Sequence, residues 1–177
     1  MNIFLLIALL PVVFMLHDFE EIIFFQPWLR KNRGEFFQRF PKLAKMIYSN
    51  HGNLSTSSFA VAILHVFVAI SAATFLSLYF NSYGLWFGAF MVFFLHLFIH
   101  IAQWIIWGRY VPVIVTSILS LPYCAYTLLS FLKFTNMHLT EMILWTIAAA
   151  LALVPLFFVA FYNAQKFEAW KNKTYNT

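Results

Sequence analysis

His17, Asp18, Glu20 and Glu21 lie within five residues of a stretch that is almost wholly apolar from its start to Phe25. A carboxylate at membrane depth costs roughly 2.5–3.5 kcal/mol on insertion scales, so such residues ordinarily mark a site. On a helix, His17, Glu20 and Glu21 are i, i+3 and i+4 and share a face, with Asp18 at its edge. His96 and His100 form another i, i+4 pair, and Gln103 and Trp107 continue their stripe. A further apolar stretch carries His65. Imidazole and carboxylate together suit zinc or iron, and a catalytic centre keeps one position open for water. The same groups also suit acid–base work without a metal, with one glutamate protonated and its neighbour ionised.

These side chains need a scaffold, and composition says which kind. The 177 residues are 63% hydrophobic and only 10% charged, with a mean hydropathy of +0.80. A soluble domain carries about 25% charged residues. The chain therefore reads as an all-α integral membrane protein, a single domain over 1–177. The net charge of +5 fits membrane topology rather than nucleic acid. The single cysteine, Cys124, excludes an internal disulfide and reads as a small packing residue. The first fifteen residues lack the basic start and small-residue cleavage pattern of a signal peptide, so they read as part of a retained first helix.

Five stretches approach the roughly 20 residues a bilayer requires: 2–25, 55–80, 84–107, 112–134 and 139–162. A polar segment, 26–53, separates the first two. Short turns at 81–84 and 107–112 separate the next. With five spans, Arg30, Lys31, Arg33, Arg39, Lys42, Lys45, Arg109, Lys166, Lys171 and Lys173 fall on one side, and only Lys133 on the other. The positive-inside rule then places the N-terminus outside and the C-terminus in the cytoplasm. Four or six spans would split the basic loops. In the long loop, Phe36, Phe40, Leu43 and Ile47 recur at helical spacing among basic residues. That pattern suits a segment on the membrane surface, broken at Pro41, or else a solvated basic loop.

Depth draws the polar groups together. His17 and His100 each precede the basic end of their span by nine residues, about 13 Å at 1.5 Å per residue. His65 lies at a similar level in the second span, and Thr116 somewhat nearer the end. Buried polar groups must find partners, and groups at one depth are natural ones. Taken alone, His65 would be a satisfied structural histidine. His51 and His138 read as loop residues, and Glu141 and Lys133 as residues of the outer interface. The 23 phenylalanines read as packing and lipid-facing bulk, with Trp86, Trp104, Trp107 and Trp145 including interface anchors.

His17-Asp18-Phe19-Glu20-Glu21 resembles the signature of the HXXEE family of small bacterial membrane proteins. His96-Leu97-Phe98-Ile99-His100 is similar to that family's Asn-x-x-x-His segment. Arg109-Tyr110-Val111-Pro112, running on to Thr116, is similar to its Arg-Tyr-x-Pro-Gly-x-x-Thr run, and Leu121-Pro122-Tyr123 follows in a matching place. His96 stands where the family usually has asparagine, and Val113 where it usually has glycine. The resemblance implies a bacterial cell membrane and a shared site. It implies no particular reaction.

The residues point first to a membrane-embedded enzyme acting on a lipophilic substrate, a metal-dependent hydrolase or oxidoreductase. His17, Glu20 and His100 are candidate ligands, with His65 and His96 as further ones. Glu20 and Glu21 are the candidate catalytic carboxylates. Arg109, Tyr110 and Thr116 are candidate substrate contacts. A metal-free isomerase or cyclase is a variant of this reading. A small proton-coupled transporter and a structural or regulatory membrane subunit are the alternatives from other classes.

Overall fold

The computed structural model describes residues 2–51 and 54–175. These residues form helices with no strand among them: α1 (Ile3–Ala8), α2 (Leu10–Lys31), α3 (Arg33–Arg39), α4 (Pro41–His51), α5 (Thr56–Phe80), α6 (Gly84–Trp107), α7 (Ile114–Phe134) and α8 (Leu139–Tyr175). Five helical stretches are long and apolar enough to cross a membrane: α1 with α2, then α5, α6, α7 and α8. The ten basic residues named above all lie at one end of the bundle, and Lys133 lies at the other.

Pro11 splits the first span. It lacks the N–H that would bond the Ile7 carbonyl four residues back, and the helix breaks at Leu9. The carbonyls freed there are buried and find other donors. The Trp86 indole N–H donates to Ile7 O at 3.2 Å, and the Tyr123 hydroxyl donates to Leu6 O at 2.8 Å. A proline inside one span thereby joins three.

Two helices run past their expected ends. α2 continues through Pro27 to Lys31 rather than stopping at 25. Its last turns are anchored by buried Gln26 and Leu29, by the Trp28 indole donating to Tyr110 O at 3.0 Å, and by the Tyr48 hydroxyl donating to Leu29 O. α8 runs to Tyr175 rather than 162, because no glycine or proline stops it there and α5 holds its polar end. Glu168 accepts from the Ser55 N–H at 2.8 Å and the Ser58 hydroxyl at 2.6 Å, capping α5, and Lys171 pairs with Glu168 at 2.9 Å. The basic loop is the broken helix of the sequence reading. α3 and α4 meet at Phe40, and Pro41 opens α4, where its missing N–H costs nothing.

Close approach between spans uses small residues, as expected where lipid gives no hydrophobic drive for helix association. α6 packs on α8 through Gly84 and Gly88. A Cβ at Gly84 would lie 2.2 Å from the Trp145 ring, and one at Gly88 would lie 2.4 Å from the Trp145 carbonyl. Elsewhere phenylalanine fills the core. Phe87 stacks on Phe131 at 5.2 Å, Trp86 on Phe90 at 5.0 Å, and Phe14 meets Phe93 edge-on at 5.7 Å. Cys124 is fully buried among them, in the packing role expected of it.

Candidate metal centre

α2 and α6 face each other across a gap filled by side chains, and three of these are histidines. His17 from α2 and His96 and His100 from α6 bring one ring nitrogen each to within 4.8 Å of one another. His17 is fully buried and His100 nearly so. The ring centroids of His17 lie 5.7 Å from His96 and 5.4 Å from His100, and Phe93 packs edge-on against His17 at 5.5 Å. Such a cluster has the donor set of a zinc or iron site.

The outward nitrogens are held by other groups. His100 Nδ1 lies 2.9 Å from the Gln103 amide oxygen. That bond requires Nδ1–H, which leaves Nε2 with a lone pair. His100 Nε2 is 2.7 Å from His96 Nε2, so His96 supplies the proton between them. Two nitrogens on one zinc stand about 3.3 Å apart at Zn–N distances of about 2.0–2.1 Å. The His96–His100 pair is closer than that and the three nitrogens together are spread over up to 4.8 Å, so a shared metal would replace the N–H···N bond and draw the rings together.

His17 is set from the other side. The Thr116 hydroxyl donates its one hydrogen to Glu20 Oε2 at 2.6 Å. Of the acceptors around this hydroxyl Glu20 is the nearest, and with the hydrogen there the oxygen, 3.4 Å from His17 Nδ1, faces a protonated Nδ1. The lone pair of His17 is thus on Nε2, which is buried and has no hydrogen-bond partner. The nearest carboxylate oxygen, on Asp18, is 3.9 Å away. An unpartnered buried acceptor costs about 1–3 kcal/mol, and here it belongs to a ring whose centroid lies 5.7 Å from that of His96 and 5.4 Å from that of His100.

Both oxygens of Glu20 are hydrogen-bonded. Besides the Thr116 hydroxyl, this carboxylate accepts the Thr116 N–H at 2.8 Å and the Tyr110 hydroxyl at 2.9 Å. It thereby caps the N-terminus of α7, which has no side-chain cap of its own. The N-cap residue, Val113, has φ 77°, a left-handed conformation that glycine would adopt without strain. Glu20 thus reaches His17 through Thr116 and lies outside the cluster of three histidines.

His65 is not brought to the cluster. Its Nδ1 lies 2.7 Å from Val61 O, and its Nε2 accepts from the Asn163 amide at 2.9 Å, bridging α5 to α8. A common level did not suffice, because His65 leaves α5 toward α8. Tyr110 and Thr116 contact Glu20. The Tyr110 hydroxyl is pushed up to about 12 by partial burial and by the Glu20 carboxylate it bonds. Arg109 pairs with Glu35 and lies over the Trp107 ring at 5.7 Å.

Glu21 takes a different course from Glu20. With His100 and Gln103 it supplies the polar side chains lining a cavity of about 260 Å³. The remaining wall is apolar and largely aromatic, with Trp28 and Trp107 on the spans and Phe36, Phe40, Leu43 and Ile47 on α3 and α4. Those last four are the residues whose helical spacing suggested a membrane-surface segment. Their inward role was not visible in the spacing, because spacing defines a face and not its partner. Arg39 was also missed. It donates to the last carbonyls of α6, at 2.8 Å to Ile106 and 2.9 Å to Trp107, and pairs with Glu35 at 3.3 Å.

A family model described as "Protein of unknown function with HXXEE motif" matches residues 8–127, about two thirds of the chain. The chain belongs to the HXXEE family. No curated protein and no solved structure matches it. The matched region contains every member of the centre: the motif residues His17, Glu20 and Glu21, the α6 pair, and Tyr110 and Thr116. The motif's histidine and its first glutamate meet through Thr116, whereas its second glutamate faces the cavity.

Proposed function

We propose that this HXXEE protein is a membrane-embedded enzyme with a divalent metal, zinc or iron, held by His17, His96 and His100, acting on a lipophilic substrate. One observation carries the reading: three buried or half-buried histidines bring one ring nitrogen each to within 4.8 Å of one another, with the Nε2 of His17 unpartnered and with Thr116 and Gln103 beside the Nδ1 atoms of His17 and His100. Histidine ligands are commonly oriented in this way through their second nitrogen. Charge supports it as well. Among the described residues no lysine or arginine pairs with Asp18, Glu20 or Glu21, and a divalent cation would balance them. A bound metal would act as a Lewis acid or activate water. Glu21, on the cavity wall, is the general base, with Glu20 and Thr116 fixing His17. The basic end of the bundle lies in the cytoplasm of a bacterial cell, with the N-terminus outside.

Elemental analysis of purified protein tests the metal. About one equivalent of zinc or iron, lost in a folded His17→Ala/His100→Ala variant, is the expected result. Metal-free, folded protein that takes up neither metal on reconstitution overturns the reading. A second reading, a proton-coupled carrier, is favoured by Asp18 and Glu21, two carboxyls within one apolar span and three residues apart on its helix. Proton-driven uptake into liposomes would support it.

A further inference from the structure

We infer that the cavity lined by Glu21 and His100 is the binding site of an uncharged, single-chain lipophile bearing one hydrogen-bonding group, and that α3 and α4 form its roof. The inference builds on the enzyme reading by naming its substrate class, and occupancy of the cavity is read independently of metal.

Size sets the first limit. At about 30 Å³ for a water-sized group, 260 Å³ holds roughly nine such groups, a chain of about eight carbons with a polar head. A larger lipid enters with one chain or not at all.

Polarity sets the second. The polar side chains on the wall are Glu21, His100 and Gln103, and His100 Nδ1 and the Gln103 amide oxygen lie 2.9 Å apart. A ligand with one donor or acceptor satisfies them, and its hydrocarbon lies against Trp28, Phe36, Phe40 and Trp107. No lysine or arginine is on the wall, so an anionic head would meet the Glu21 carboxylate with nothing to neutralise it. Organic cations are opposed at the rim. The Arg39 and Arg109 guanidinium groups lie over the Trp107 ring at 4.9 and 5.7 Å, and they share one carboxylate, Glu35. An uncharged molecule passes both barriers.

Position sets the third. α3, α4 and their junction line the cavity with Phe36, Phe40, Leu43 and Ile47, while Phe37, Met46 and much of Leu43 stay exposed. A short amphipathic pair of this kind lies at a bilayer interface, where uncharged amphiphiles concentrate. The roof is tied to the spans by Arg39 on the α6 carbonyls and by Tyr48 on Leu29.

Photolabelling tests the assignment. The probe is an eight-carbon primary alcohol carrying a diazirine, applied to the full chain in nanodiscs. Adducts are expected in residues 28–47 and 100–113, displaced by excess octanol. Octanoate and octylammonium should compete at least tenfold more weakly. Ile47→Trp, which fills the cavity, should abolish the displaceable adducts and leave metal content unchanged. Should that variant fail to fold, Phe40→Ala decides, by admitting longer alcohols than the parent. Adducts confined to lipid-facing residues and not displaced by octanol would overturn the assignment. So would octanoate or octylammonium competing as well as octanol. Specific alcohol binding in protein that takes up no metal would leave the site standing and remove the metal reading. Metal without such binding would do the reverse.

Discussion

The Glu20 carboxylate accepts both the backbone N–H and the hydroxyl of Thr116, at 2.8 and 2.6 Å, although 96 residues separate them in sequence. One side chain on α2 thus caps α7 and, through the same hydroxyl, sets the tautomer of His17. Thr116→Val keeps the N–H and removes only the hydroxyl. Its expected effect is metal affinity lower by about 10- to 100-fold at unchanged stoichiometry, the usual cost of losing a group that orients a ligand. Glu20→Gln replaces an oxygen acceptor by an amide donor facing donors. It should show the same loss of affinity and also destabilise the fold by about 1–3 kcal/mol. Metal titration and thermal unfolding in detergent separate the two effects.

The four membrane histidines should divide three to one. His17→Ala, His96→Ala and His100→Ala each remove a member of the cluster and should each abolish tight metal binding. His65→Ala breaks the bridge to Asn163 and should lower thermal stability while leaving one metal equivalent in place. His96→Asn should fall between, because an amide can still reach a metal or bond His100. Elemental analysis of the folded variants reads all five, and loss of metal in His65→Ala would break the division.

How far the sequence reached depends on which force placed each residue. The spans follow from apolar length alone, and 84–107 agrees at both ends with α6. The α6 stripe of His96, His100, Gln103 and Trp107 follows from helical spacing, and the structure gives those residues a common neighbourhood. The sharing of Thr116 between His17 and Glu20 required the fold, because nothing in the spacing on α2 says that the start of α7 lies beside it. His65 shows the same limit from the other side. Depth along a helix was legible, but the direction in which the side chain leaves the helix depends on which helices are neighbours. The extension of α8 beyond 162 went unread because hydropathy marks where lipid ends, not where the helix does.

The roof should loosen in acid. Glu35 holds α3 to Arg109 in the turn before α7. The arginine's hydrogen bond, with further help from Arg39, keeps this carboxyl below the usual carboxylate range. A carboxyl whose value falls on folding favours the folded contact above the ordinary carboxylate range, and that contribution is lost as pH falls through the lowered value. Spin labels at Lys42→Cys and Ile105→Cys should therefore report a constant distance at neutral pH and a broader, longer one only in acid. Glu35→Gln should show the broad distribution at all pH values. A distance that responds to pH equally in both would assign the change to another group.

The tight crossing of α6 on α8 makes Gly88 the most sensitive glycine for folding. A methyl there would lie 2.4 Å from the Trp145 carbonyl and 3.0 Å from the Ala149 methyl. Backbone cannot rotate away as a side chain can, so the helices must separate. Gly88→Ala should cost about 1–3 kcal/mol, the usual price of overpacking, and Gly88→Val more. Gly84→Ala meets the Trp145 ring instead, a side chain free to change rotamer, and should cost less. His96 and His100 stand eight and twelve residues beyond Gly88 along α6, about two and three turns away, so metal stoichiometry should be unchanged in every variant that folds. Thermal unfolding of the three proteins in one detergent gives the ranking. Equal stability of Gly88→Ala and the parent would mean that α6 and α8 do not approach this closely in the membrane.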